Sequence, residues 1–274
     1  MKLGLVGRGR AGRTLAPALR ASGLELGWWW GRNVDGHADA LGTVDVVLFA
    51  VSDSAIEAAA EALSSREGAS TEIWLHLSGS RPGSAVRVSD TCPAAAGSMH
   101  PLQALPGFEV PSSHFEGVIA GLDGEPEALA ASRSIATALG MHSVPLTPGT
   151  KPLYHAAAVS VAGHATALFS QAMRTMSHAG FTPGEARDAL LPLMRGALTN
   201  LASGLPSEVI TGPIARGDAP TVAAHLTHLE AKEPEVAESY RGLAREALRL
   251  SRGTLTEADH DTIAQLLNSE LQTR

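Results

Sequence analysis

The sequence predicts a doubly wound α/β domain with a mostly parallel sheet, followed by an all-helical segment. Three observations carry this expectation. Strand-length apolar runs alternate with helical patterns up to about residue 147. One run, VDVVLFAV at 44–51, is apolar almost throughout, as a parallel strand covered on both faces requires. Beyond the turn signal Thr147-Pro148-Gly149, every periodic segment is helical. The chain is therefore expected to divide into 1–147 and 148–274.

The elements follow in order. Residues 3–7 form a short apolar strand ending in glycine, and 11–22 read as a helix with Gly23 just beyond its end. Strands follow at 24–30 and 44–51, then an Ala/Glu-rich helix at 54–63 and a strand at 73–77. Strands are expected at 97–100, 117–119 and 143–146, with a helix at 125–139. Trp28, Trp29 and Trp30 stand in one strand, where successive side chains face opposite sides, so they are expected to pack the core. In the second part, 152–179 reads as one long helix. Thr182-Pro183-Gly184-Glu185 has the form of a helix start, with Thr as cap and Glu three residues on. That helix is expected to reach about Ala202, and shorter ones follow at 221–230, 233–251 and 257–270.

Composition narrows the function classes. The 274 residues hold 21 Lys and Arg against 28 Asp and Glu, a net charge of −7, which argues against neutralising nucleic-acid phosphates. The single Cys92 excludes an internal disulfide framework and a cysteine-based zinc cluster. Met1 and Lys2 run straight into an apolar strand, unlike a secretory leader. No apolar run reaches the roughly 18–20 residues of a membrane span. A soluble, cytoplasmic protein is expected, without membrane, nucleic-acid or metal partners. His225 and His228 lie three apart but lack a supporting ligand framework. Only Lys2, Lys151 and Lys232 are lysines, so each can be weighed individually.

The strongest local motif is Gly7-Arg8-Gly9-Arg10-Ala11-Gly12, placed after the first strand and opening the first helix. That context predicts dinucleotide binding. The first glycine makes the turn, the second admits a pyrophosphate, and the third lets helix and strand pack closely. At the end of the second strand, NAD sites place a carboxylate on the ribose. Arg32 and Asn33 stand there instead, and a guanidinium suits a 2′-phosphate. With Arg8, Arg10 and Arg13 close by, NADP is expected over NAD, although Asp35 could reach the ribose if the loop curls. Val51 and Ser52 end the third strand and are expected to line the cofactor site.

Candidate chemistry gathers at other strand ends and at the start of the long helix. Ser78 and Ser80 could bind a substrate carboxylate, and His100 is a candidate proton donor. Lys151 and His155 are four apart and share a helix face. An ammonium and an imidazole there could polarise a carbonyl or imine as hydride arrives. The predicted catalytic set is Lys151, His155, His100 and Ser78, with Tyr154 on a different face. Arg216 and Asp218, in a polar loop between helices, and the mid-helix Asn200 are lesser candidates.

The glycine loop, HLSGS (76–80), GSMHPLQ (97–103), KPLYHAAAV (151–159) and TGPIARGD (211–218) carry a resemblance. The chain resembles reductases grouped around pyrroline-5-carboxylate reductase, ketopantoate reductase and the β-hydroxyacid dehydrogenases. More closely, it is similar to Rossmann proteins with a C-terminal part of the DUF2520 type. The resemblance implies an N-terminal Rossmann domain, a helical domain of the 6-phosphogluconate-dehydrogenase type, and an NADP-linked oxidoreductase. In the β-hydroxyacid dehydrogenases a helix carries Lys and, four residues on, Asn. Lys151 matches the Lys, His155 stands in the Asn position, and Ser78 matches the substrate-carboxylate loop. By the same analogy the 152–179 helix builds a homodimer. The expected activity is NADPH-dependent reduction of a small 2-oxo acid or imine. A non-catalytic NADP-binding sensor or scaffold is the alternative.

Overall fold

A computed structural model describes residues 1–31, 42–65, 69 and 72–269. The chain divides into two compact units, Met1–His164 and Ala165–Arg274. The helix after the last strand, which contains Lys151, counts with the first unit.

In the first unit, seven strands form one sheet: β1 (Lys2–Val6), β2 (Glu25–Trp30), β3 (Val46–Phe49), β4 (Ile73–His76), β5 (Ala95–Pro101), β6 (Ile119–Gly124) and β7 (His142–Pro145). Their spatial order is β2-β1-β3-β4-β5-β6-β7. All neighbours are parallel except β5 and β6. The expected mostly parallel, doubly wound sheet is thus observed. Helices α1 (Arg10–Ala21) and α3 (Pro126–Ala138) supply Leu15, Leu19, Ala128 and Ile135 to the core on one face. Helix α2 (Ile56–Ser64) covers the other with Ile56, Ala60 and Leu63. The tryptophans alternate as expected: Trp28 and Trp30 pack with the α2 side, Trp29 with the α1 side.

Strand β6 is longer than expected and lies later than residues 117–119. Its AGLDG stretch reads as a turn, yet it pairs antiparallel with β5 and brings Gly97 opposite Gly124. A Cβ on Gly124 would lie 2.5 Å from the Gly97 Cα, so close backbone approach explains glycines inside both strands. Wherever β1, β3, β4 and β5 run parallel, their carboxyl ends share one sheet edge, where ligands of open α/β sheets lie.

The expected single helix at 152–179 is interrupted. Helix α4 (Lys151–Val159) passes into a π-turn at Ser160–His164, and α5 (Ala165–Ser177) follows. Ser160 Oγ bonds the Ala156 carbonyl at 2.9 Å, and Gly163 supports a helix poorly, so the i to i−4 ladder is weak here. The second unit continues with α6 (Pro183–Ser203), a short α7 (Pro206–Val209) absent from the sequence expectations, α8 (Ala219–Lys232), α9 (Pro234–Leu250) and α10 (Glu257–Asn268). Its core comprises Val222, Leu226, Leu248, Ile263 and Leu267 among others. Among the described residues, no helix is long and apolar enough to cross a membrane.

Helix α6 starts as its sequence predicts. Thr182 Oγ accepts from the Glu185 N–H at 3.4 Å, and Glu185 Oε2 accepts from the Thr182 N–H at 2.8 Å. The Thr182→Ala variant should lose about 1 kcal/mol of unfolding free energy, read as a lower urea midpoint at unchanged slope.

Candidate active site

The glycine loop has the geometry its motif requires. Gly7 is in a positive-φ conformation (112°), and a Cβ there would lie 2.2 Å from the Ala50 carbonyl oxygen. A Cβ on Gly12 would lie 2.1 Å from the Gly7 oxygen, the helix–strand contact only glycine permits. A Cβ on Gly9 would meet nothing within 4 Å, so that face of the loop is open. Gly9 caps α1 without a side-chain bond, and the first turn, which includes Arg10 and Ala11, has no acidic residue. Its amides are therefore free to face an anion. Arg8, Gly9, Arg10 and Arg13 are exposed there. This donor set fits a dinucleotide pyrophosphate. Arg32, Asn33 and Asp35, which bear on the choice between NADP and NAD, lie outside the described residues.

Trp29, expected only as core, also holds this loop. Its indole N–H donates to the Gly7 carbonyl at 2.7 Å, and the Arg8 guanidinium lies 4.8 Å from its ring centroid. Arg8 also donates to the Trp29 carbonyl at 2.9 Å. No motif marks this role, which depends on how β2 lies beside β1.

The loop connects to the catalytic candidates through β3. A Gly7 Cβ would lie 3.2 Å from Val51 Cγ1, and exposed Ser52 precedes Asp53. The Asp53 carboxylate accepts from Ser80 Oγ at 2.7 Å. Partial burial works to raise its pKa, but hydrogen bonds from Ser80 and Ser78 hold it below the usual carboxylate value. Ser78 Oγ accepts from the Ser80 and Arg81 N–H groups, folding the turn after β4.

Lys151 is the centre of this edge. Its side chain is only 2% exposed. Nζ donates to the Ser78 carbonyl at 2.8 Å and to Ser98 Oγ of β5. Burial brings its pKa down to about 8, against the attraction of Asp123 and Asp53. The ammonium has three donors, and two are used by these partners. Ser98, fully buried, lies within the GSMHPLQ segment but was not among the expected site residues.

Two more candidates meet at the Gly79 turn. A Cβ on Gly79 would lie 2.6 Å from His155 Nδ1 and 2.9 Å from His100 Cε1. The two imidazoles contact edge to face with centroids 5.8 Å apart. His155 Nδ1 is buried without a hydrogen-bond partner among the described residues. Tyr154 Oη lies 3.0 Å from His100 Nδ1. Beneath them is His76, which sequence reasoning quoted in a motif but did not select. Its Nδ1 accepts from the Ser78 N–H at 3.1 Å, so Nε2 carries the proton and donates to the Pro82 carbonyl at 2.8 Å. Burial pushes both His76 and His100 down to about 4, leaving them neutral near pH 7.

The structure thus brings Lys151, Ser78, His100 and His155 into one cluster. The downstream candidates have local roles. Asp218 caps α8 by accepting from the Thr221 N–H at 3.2 Å, His225 pairs with Tyr240, and His228 bonds the Ala224 carbonyl.

Residues 118–247 match the model of DUF2520, a domain of unknown function. These residues are a DUF2520 domain. The DUF2520 segment begins at Val118, just before β6, and so includes the last two strands and, of the cluster, the α4 residues Lys151 and His155 but not Ser78 or His100. No curated protein matches the chain. Among solved structures, the chain is similar to a protein of Bacteroides fragilis provisionally named an NADP oxidoreductase (TM-score 0.71, 20% identity, 90% of this chain and 97% of that one). It is also similar to a Thermotoga maritima protein (TM-score 0.72, 21% identity, 92% and 98%). A third similarity is to Plasmodium falciparum pyrroline carboxylate reductase with NADP bound (TM-score 0.60, 11% identity, 98% and 98%). These likenesses establish the Rossmann-type fold with its helical C-terminal part.

The buried amine has a measurable consequence. An unfolded lysine stays charged to about pH 10.5, whereas Lys151 in the folded chain loses its proton near 8. Across that window the native state binds fewer protons, so stability rises with pH, by up to about 3 kcal/mol. Denaturant unfolding at pH 7.5 and 10 should show wild type gaining stability relative to Lys151→Met. Parallel pH profiles would show that the amine is not perturbed.

Proposed function

We propose that this protein is an NADP-dependent oxidoreductase that reduces a small 2-oxo acid or imine. The observation that carries the reading is the buried Lys151 ammonium, set beside two imidazoles at the sheet edge that also holds the open glycine loop. The similarity to structures named as an NADP oxidoreductase and a pyrroline carboxylate reductase supports the same class.

The residues divide the work as follows. The Gly9–Gly12 amides and Arg8, Arg10 and Arg13 hold the pyrophosphate. Val51 and Ser52 line the cofactor, and Arg32 with Asn33 meets the adenosine 2′-phosphate. When bound, the reduced nicotinamide supplies a hydride. Lys151 stabilises the negative charge that develops on the substrate oxygen or nitrogen, a short-range effect in a dry site. Its unusual pKa keeps a transferable proton available near neutrality. His100, His155 and Ser78 orient the substrate, and the Ser78–Ser80 turn is suited to a carboxylate.

The helical unit supports homodimerisation. Leu168 of α5 and Leu193, Leu198 and Leu201 of α6 are exposed large apolar side chains. An apolar cleft of about 730 Å³ lies among α5, α6, α8 and α9, lined by Leu168, Ala172, Met176, Leu229 and Leu243 among others. Such surface is more than a monomer ordinarily leaves open.

A non-catalytic NADP sensor is the second reading. The observation favouring it is that Lys151 is sealed and already bonded to Ser78 and Ser98.

Tryptophan-fluorescence titration with NADPH and NADH, followed by turnover assays on 2-oxo acids and cyclic imines, tests both readings. NADPH should bind more tightly, and Lys151→Met should lower kcat about 10²–10³-fold. Equal affinities would remove the Arg32 argument. Turnover undiminished in the variant would overturn the catalytic assignment. NADPH binding without reduction of any panel member would favour the sensor.

A further inference from the structure

The two neutral histidines of the site, buried His76 and half-buried His100, are held in different ways. His76 is bounded by groups whose roles cannot change, since the Ser78 N–H only donates and the Pro82 carbonyl only accepts. Its proton is locked on Nε2. His100 instead faces a hydroxyl. Tyr154 Oη lies 3.0 Å from His100 Nδ1 and 3.3 Å from the carbonyl oxygen of the same residue.

A hydroxyl has one hydrogen and can also accept. If Tyr154 points its hydrogen at Nδ1, that nitrogen is the acceptor and His100 carries its proton on Nε2. If the hydrogen points at the His100 carbonyl, Nδ1–H donates to Oη, and Nε2 presents a lone pair. Neither arrangement displaces a heavy atom: the first joins Tyr154 Oη to Nδ1 alone, and the second also gives the His100 carbonyl the hydroxyl hydrogen. In passing from the first to the second, Nε2 releases a proton to solvent and Nδ1 takes one up, so the ring stays neutral.

From this we infer that Tyr154 is a positioning residue that leaves His100 free between two tautomers, so that Nε2 can serve as donor or acceptor. Nε2 makes no hydrogen bond among the described residues, and is the ring atom left for a ligand. The use of the device rests on the proposed reductase reading. A carbonyl or imine offers an acceptor before hydride arrives and needs a donor opposite. The product alcohol or amine brings its own hydrogen and can be met by a lone pair. One imidazole then fits both members of the redox pair, which a locked histidine like His76 could not do.

The groups around the ring are consistent with a neutral switch. Among the described residues, Lys151, His155 and His76 repel a charge on His100, and Asp53 favours one.

Long-range ¹⁵N–¹H correlation spectra of ¹⁵N-histidine-labelled protein at pH 7 test the inference, with His100→Gln identifying the His100 signals. His76 should show a pure Nε2–H pattern, and His100 shifts averaged between the two tautomers. In Tyr154→Phe, which keeps the ring and removes the hydroxyl, the averaging should collapse to a single tautomer while the His76 signals stay in place as a control for folding. A single His100 tautomer in wild type, or averaging unchanged in Tyr154→Phe, would overturn the inference. The spectra need no turnover, so an averaged His100 in a protein without reductase activity would sink the functional reading and leave the tautomer switch standing. If both hold, Tyr154→Phe should lower kcat about tenfold with KM changed less than twofold, and Lys151→Met should leave the His100 averaging intact.

Discussion

The buried ammonium of Lys151 is the constraint on which the site depends. One amine on α4 holds the Ser78 carbonyl after β4 and the Ser98 hydroxyl of β5, so three elements distant in sequence converge on it. Removing a lysine head from water is costly, and here the cost is offset only by these bonds and by the attraction of Asp123 and Asp53. A charge so placed is a poor means of gaining stability and a good means of placing an electrophile. The Ser78 turn, gathered on its own Ser78 hydroxyl and on His76, is the rigid partner that such a charge requires.

The remaining polar groups of this edge are arranged around that charge. Asp53, held ionised by Ser80 and Ser78, gives the ammonium a nearby counter-charge without touching it. The three histidines are differently placed. His76 is a locked support for the turn, His100 is coupled to Tyr154, and His155 packs against Gly79 with Nδ1 unpartnered among the described residues. At His76 and His100 a neutral imidazole is compatible with the neighbouring ammonium, whereas a protonated one would repel it, so burial and charge act in the same direction. On the other side, Trp29 secures the glycine loop from beneath, and its packing face and hydrogen bond belong to one side chain.

Much of this was legible in the sequence, and the reasons are local. The GxGxxG spacing predicts a turn whose glycines differ in need, and Gly7, Gly9 and Gly12 do differ: strained, open and crowded. The i, i+4 spacing of Lys151 and His155 predicts one helix face at a strand edge, and both reach the Gly79 turn. The Thr182–Glu185 box forms as written. Other features left weaker signals. Tyr154 was assigned to a different face because helix spacing says nothing about a neighbouring strand, yet β5 brings His100 to its hydroxyl. Ser98 is an ordinary small residue inside a strand until Lys151 arrives. The antiparallel β6 depends on pairing energies that no window of residues contains, whereas the π-turn at Ser160–His164 has local causes, the Ser160–Ala156 bond and Gly163, that the long helical pattern masks.

By itself, then, the sequence determined the alternation of strands and helices, the anion-binding start of α1 and the residue types that chemistry would need, because these follow from periodicity, steric demand and spacing within single elements. Tertiary structure alone decided which of those residues meet. Burial of Lys151 and the coupling of His100 to the Tyr154 hydroxyl arise from groups 53 to 73 residues apart along the chain. Their pKa values and proton positions are properties of a desolvated cluster, and desolvation exists only once the sheet edge and α4 have closed around it.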